Sequence, residues 1–222
     1  MNTPTRSALW MLMLTLATAA PAAGAATVTG IPAGGSLGFT VLRNGEAVGT
    51  HTIRFSSGDG GVKVDVQTSV NVKLPFVGLS VYHFEHTGQE LWRDGALVAL
   101  QSVTDDDGSA HELEVRRDGG KLHVASELGR HESAGDLIPA SLWHPELVTR
   151  TVLLNTLDGH EMPVRVSEQA SAPVQARGRT VNARHFVVSG GLARELWYDP
   201  DGVLIKVAFA AKDESRIEYI LE

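Results

Sequence analysis

Asn or Asp followed directly by Gly recurs along the chain: Asn44-Gly45, Asp94-Gly95, Asp107-Gly108, Asp118-Gly119, Asp158-Gly159 and Asp201-Gly202. These pairs supply the left-handed backbone positions of tight hairpin turns, and such turns reverse a strand rather than continue a helix. Between them run segments in which apolar and polar residues alternate, the period of a half-buried strand. A chain written this way is constrained to antiparallel β structure.

The first hairpin is the clearest. In "LGFTVLRNGEAVGTHTIRF", Leu37, Phe39 and Val41 alternate before the Asn44-Gly45 turn. Ile53 and Phe55 resume the alternation, with Val48 out of phase, so a bulge is expected near Gly49. Val62, Val64, Val66, Val70, Val72 and Leu74 then share one face of a strand ended by Pro75. At about 3.3 Å per residue it spans roughly 40 Å, long enough to call for a large curved sheet. "VGLSVYHFEHTGQELW" returns with Val81 on one face and Tyr82 and Phe84 on the other. Further strands are expected at 96–104, 111–117 and 121–126, and a polar loop over 127–136. A short helix is expected around 139–148, capped by Ser141 and limited by Pro145. A second β series begins at "RTVLLNTLDGHEMPVRV", "SEQASAPVQARGRT" reads as a loop, and strands resume to the C-terminus. The expected fold is mostly β: a large curved antiparallel sheet, a half-barrel or open barrel, with one short helix.

"ELWRDGAL" at Glu90 and "ELWYDPDGVL" at Glu195 are near copies. A two-residue turn at Asp94-Gly95 sets Trp92 opposite Leu97 and Glu90 opposite Ala99. A type I turn with a Gly bulge at Asp199–Gly202 sets Trp197 opposite Ile205, on the face of Val203, Val207 and Phe209. Both tryptophans thus read as anchors of hairpins on an apolar face.

The chain opens with Arg6, an almost unbroken apolar run over Ser7–Ala20 and an Ala23-Gly24-Ala25 site, the order of a secretory signal peptide. Residues 1–25 are expected to be removed, leaving 26–222 as a single β-rich domain in the periplasm or outside the cell, with no membrane-spanning segment after cleavage. The absence of cysteine excludes disulfides, thiol chemistry and the usual lipoprotein anchor. A net charge of −7 without a basic stripe argues against a nucleic-acid partner.

Local chemical motifs are sparse. His-Glu occurs at His111, His131 and His160, but the fifth residues are Val115, Gly135 and Val164, so no zinc-protease helix is written. In "YHFEHTGQE", His83 and Glu85 point one way from a strand and His86 the other, which separates the imidazoles. "TDDDGSA" lacks the ligand spacing of a calcium loop and reads as a solvated turn. No metal site, cofactor or catalytic residue is assigned. The aromatic set Tyr82, Phe84, Trp92, Trp143 and Trp197 is expected to face one interior, either as core or as the lining of a ligand pocket.

The segments "FTVLRNGEAVGTH", "VNVKLPFVGLSVYHFEHTGQELWRDGALVALQSVTDDDG", "SLWHPELVTRTVLLNTLDGHEMPVRV" and "ELWYDPDGVLIKVAF" resemble an uncharacterised bacterial family of secreted proteins, a domain of unknown function. That resemblance brings no activity or cofactor. A more distant likeness is to periplasmic lipoprotein carriers, whose curved sheets hold acyl chains. It implies an apolar or lipid-like ligand bound within the sheet by the five aromatics. The alternatives are a non-catalytic envelope module with a protein partner, recognised through a sheet edge or exposed face, and an envelope hydrolase centred on His83, Glu85, His86 and Glu90.

Overall fold

The computed structural model describes residues 28–58, 61–73 and 80–222. The expected signal peptide, Leu74 and Pro75 lie outside the described residues. Fifteen strands form one sheet: β1 (Ser36–Arg43), β2 (Glu46–Gly58), β3 (Gly61–Lys73), β4 (Ser80–Arg93), β5 (Ala96–Asp106), β6 (Ser109–Asp118), β7 (Lys121–Ser126), β8 (Gly129–Ala134), β9 (Ile138–Pro139), β10 (Val152–Leu154), β11 (Glu161–Ala176), β12 (Arg179–Gly190), β13 (Arg194–Tyr198), β14 (Leu204–Ala210) and β15 (Arg216–Leu221). Their order across the sheet is β8-β7-β6-β5-β4-β3-β2-β1-β15-β14-β13-β12-β11-β10-β9. Neighbours are antiparallel except β9 and β10.

This order is two meanders joined at both ends. The first runs outward from β1 to β8 and the second runs inward from β9 to β15, which pairs with β1. The sheet's two edges, β8 and β9, are therefore consecutive in sequence, joined only by Gly135–Leu137. So short a link forces the edges together and curls the sheet into an open, barrel-like form. Arg117 fastens this seam, donating from Nε to the Leu97 carbonyl (2.6 Å) and from Nη2 to the Gly135 carbonyl.

The turn chemistry fixes much of the register. Asn44 and Gly45 hold φ of 51° and 87°, and Asp94 and Gly95 hold 49° and 74°. The pairing of β1 with β2 shifts between Val41 and Leu42, leaving Val48 as the extra residue next to Gly49. Trp92 stands opposite Leu97 as expected, but a further shift between Leu91 and Trp92 puts Glu90 opposite Leu100 rather than Ala99.

Three expectations are corrected. The polar text at 127–136 forms strand β8, whose exposed edge position removes the need for alternation. "SEQASAPVQARGRT" is the distal half of the β11–β12 hairpin, with Arg177 and Gly178 as its left-handed turn. The short helix is a five-residue 3-10 turn at Pro145–Thr149; Pro145 starts it, and its cap is His144, whose Nδ1 accepts from the Glu146 amide, rather than Ser141.

The inward face carries Leu37, Phe39, Ile53, Val64, Leu100, Leu113, Val115, Leu122 and Val124, all buried. Within the second meander, the connections 140–151 and 155–160 lie against this face in place of a helix layer. Ser102 and Ser126 donate to the carbonyls of Thr156 (2.5 Å) and Asp158 (2.7 Å). A Cβ at Gly159 would stand 2.3 Å from Val124, so only glycine permits that close approach.

Candidate functional site

The five expected ligand aromatics do not meet in one pocket. Trp92 and Trp143 are fully buried and pack edge to face at 5.5 Å, with Phe55 edge-on to Trp143 at 5.1 Å. They fill the middle of the fold. Tyr82 lies at an exposed end, donating to Asp106 (2.8 Å). Trp197 lies on the opposite face of the sheet. A register shift between Trp197 and Tyr198 sets it against Lys206 instead of Ile205, while Leu196 pairs with Val207. It is stacked on His185 at 4.3 Å, with the Lys206 ammonium 5.2 Å from its ring. Phe84 alone of the five lines the inner cavity described below.

The two ELW acids have opposite surroundings. Glu195 pairs with His185 (3.1 Å) and Arg216 (2.7 Å) near the surface. Glu90 is enclosed: its Oε2 accepts from the indoles of Trp92 (2.7 Å) and Trp143 (3.1 Å). The Ser141 hydroxyl beside it favours the charged form, but its geometry is too poor for a hydrogen bond, and Glu90 Oε1 and Ser141 Oγ are both unpaired. Burial outweighs these partners and raises the Glu90 carboxyl above the ordinary range. His144 stacks on Trp92 at 4.8 Å, and burial lowers it to about 4. The proposed hydrolase centre is not assembled. His83 and Glu85 lie 4.0 Å apart on the exposed face, whereas His86 and Glu90 project inward. Among the described residues no group of three or more His, Cys, Asp or Glu side chains could hold a metal ion.

The chemically richest place is a cavity of about 120 Å³ inside the curl, where strands β2–β4 face β13–β15. Its first wall is built by cross-strand register. His51 stands opposite Thr68, Thr68 opposite His86, and His86 opposite Thr104. His51 Nδ1 is 2.7 Å from Thr68 Oγ1, and His86 Nδ1 is 2.7 Å from Thr104 Oγ1. All four are buried. Burial, then the neighbouring His86, lowers His51 to about 3; burial lowers His86 to about 4. Both rings are therefore neutral at pH 7, and with Nδ1 committed to threonine, Nε2 is the nitrogen each has left.

The facing wall carries Arg194, Phe209 and Tyr219. The Arg194 guanidinium sits 3.7 Å over the Phe209 ring and donates to its neighbour's carbonyl, Ala193 O, at 2.8 Å. Among the described residues no carboxylate pairs with it, in contrast to Arg43, Arg116, Arg150, Arg184 and Arg216. Burial lowers Arg194 and raises Tyr219, whose ring lies 5.2 Å from His51. The cover is the Ala140–Leu142 segment. Leu142 holds φ of 68°, a conformation that costs an L side chain free energy, and the buried Tyr198 hydroxyl donates to its carbonyl at 2.6 Å. Strain of this kind collects at binding sites.

The sequence carried one signal for this site. His51 falls in phase with Ile53 and Phe55, a polar residue on an apolar face. Arg194 had none, because its meeting with His51 depends on the curl of the whole sheet.

The outward face of β2–β7 forms a second concavity of about 1010 Å³. A row of registered polar residues, Arg54, Asp65, Gln89, Gln101 and Glu114, crosses it. No helix among the described residues is long and apolar enough to cross a membrane.

A family profile described as "Domain of unknown function (DUF6134)" matches residues 39–222. A search of curated proteins finds no match. Among solved structures, the chain is similar to a beta-barrel-like protein of the DUF1849 domain of unknown function from Brucella abortus. The TM-score is 0.56 at 10% identity, over 84% of this chain and 97% of that one. This likeness concerns the fold.

Proposed function

The chain belongs to the DUF6134 family, and from that premise we propose that it is an exported protein that binds a small apolar or amphipathic molecule inside its curved sheet. The single observation that carries this reading is the cavity between β2–β4 and β13–β15. It combines apolar walls with a few convergent polar groups, the make-up of a ligand site. Ordinary cores are packed nearly without voids, and polar atoms in them are paired. Here a guanidinium bonds to the adjacent Ala193 carbonyl with no carboxylate pairing it among the described residues, two imidazoles are tied to threonines through Nδ1, and a strained leucine forms part of the wall. The volume favours a small molecule over a full acyl chain: an apolar cavity of about 150 Å³ accommodates benzene, and drug-sized ligands occupy roughly 300 Å³ or more. Export is supported by Arg6, the apolar run over Ser7–Ala20 and the Ala23-Gly24-Ala25 site.

Native mass spectrometry of the protein purified from its own cell envelope tests the binding. A small molecule retained on the folded chain is expected. An empty chain, together with unchanged methyl NMR spectra across a panel of small amphiphiles, would overturn it. N-terminal sequencing of the same material tests export, with a start near Ala26 expected.

The outer concavity supports a second reading, an envelope module that docks a protein partner on β2–β7. Photo-crosslinkers at Thr87 and Val103 test it. Reproducible capture of one partner is the expected result, and none would end this reading.

A further inference from the structure

We infer that the occupant of the inner cavity is a short monocarboxylate, its carboxylate held by Arg194 and by the imidazoles of His51 and His86. This rests on the reading of the cavity as a ligand site and adds the chemical class of the ligand. Arg194 supplies the charge. A guanidinium matches a carboxylate in shape, offering parallel N–H donors, and forms strong charge-assisted bonds where water is excluded. A half-buried arginine without a carboxylate partner is costly unless something completes it. Here one face of the guanidinium rests on Phe209 and its hydrogen bond reaches only the adjacent Ala193 carbonyl, so most of its five donors are uncommitted.

The threonines set what the histidines offer. A neutral imidazole has one donor and one acceptor nitrogen. When the Thr68 and Thr104 hydroxyls donate to Nδ1, the proton of each ring lies on Nε2, and both rings present N–H donors to an anion. Among the described residues no acidic side chain lines this cavity to compete for them. Phe84, Leu157 and Leu192 complete the wall with apolar surface suited to a short hydrocarbon tail. Scaling from the benzene-sized cavity, about 120 Å³ admits about five non-hydrogen atoms. Propionate has that number.

Titration calorimetry with propionate and with its neutral isostere propionamide tests the inference, on the wild-type protein and on Arg194→Gln and Arg194→Lys variants. Thermal melts check that each variant folds. The expected result is that propionate binds at least tenfold more tightly than propionamide. Arg194→Gln should weaken propionate at least tenfold without changing propionamide, and Arg194→Lys should fall between. Equal affinity for the two probes in the wild type would overturn the carboxylate assignment while leaving a small-molecule cavity in place. So would propionate binding that survives in a folded Arg194→Gln protein. If neither probe binds, this inference fails, and the ligand-site reading is decided separately by the native mass spectrum and the amphiphile panel. Should Arg194→Gln not fold, the comparison of the two probes on the wild type and on Arg194→Lys still decides.

Discussion

Leu142 holds a left-handed conformation that leucine normally avoids, and one phenol holds it there. The Tyr198 hydroxyl donates to the Leu142 carbonyl at 2.6 Å from a fully buried position. Tyr198→Phe leaves that carbonyl without its partner. The expected loss is about 1–3 kcal/mol of stability, read by chemical denaturation, with faster hydrogen exchange confined to the 140–142 cover. A change spread evenly over the sheet would show that the bond does not specifically hold the cover.

Buried ionisable residues at this scale also give stability a pH dependence with two opposed parts. His51, His86 and His144 are lowered to about 3, about 4 and about 4. Below about pH 6.5 the unfolded chain takes up protons at these residues and the folded chain does not. Stability therefore falls on acidification, by up to about 1.4 kcal/mol per pH unit for each ring. Glu90 acts in the other direction. Its carboxyl is raised by burial, so as pH rises above the ordinary carboxyl range the unfolded chain releases a proton that the folded chain keeps. Stability is lost over that window, up to the folded value. Glu90→Gln retains an acceptor for both indoles and removes the ionisation. Thermal melts should show it more stable than the wild type at pH 8, with the advantage shrinking towards pH 4.5. An advantage that does not vary with pH would rule out a titrating Glu90.

At the scale of elements, the twin ELW hairpins show what letters can and cannot specify. The Asp94-Gly95 turn fixed the pairing of Trp92 with Leu97, and local turn chemistry was enough to read it. The second hairpin has the expected Gly202 bulge, with Gly202 at φ of 78°, but gains another register shift one residue before Tyr198. A one-residue slip exchanges faces along a strand, so Trp197, although still buried, packs against His185 and Lys206 instead of beside Trp92. Strand β8 was equally hard to read, since an exposed edge imposes no apolar alternation. The inner cavity was less legible still: its walls come from residues as distant as His51 and Tyr219, joined by closure of the sheet and by no local spacing. Truncation tests the two faces. Trp92→Ala should cost about 3–5 kcal/mol, the usual range for a buried tryptophan, and it also deprives Glu90 of a donor. Trp197→Ala removes packing on the outer face against His185 and Lys206, and about half that cost is expected. Equal losses in urea denaturation would contradict the different placements.

At the scale of the whole molecule, the fold depends on a closure that backbone pairing does not make. Thirteen of the fourteen neighbouring strand contacts are antiparallel ladders, yet the two sheet edges meet through Gly135–Leu137 with no β8–β9 ladder between them. The curl brings β2–β4 opposite β13–β15, so the cavity inherits whatever holds that seam. Arg117 is the side chain placed to do it, binding Leu97 on β5 and Gly135 at the seam. Its charge makes each bond stronger than a neutral one, about 1.5–3 kcal/mol. Arg117→Met keeps much of the stem's packing and removes both bonds. The ladders elsewhere are untouched, so opening should be local rather than global. Hydrogen exchange should rise first in β8 and over 135–138, with β1–β3 and β14–β15 still protected. Propionate affinity should fall with it, although Arg117 lies outside the cavity lining, because a loosened seam lets the facing walls move apart. Unchanged exchange at β8 in a folded Arg117→Met protein would mean that the short link and the apolar interior close the sheet without help from this arginine.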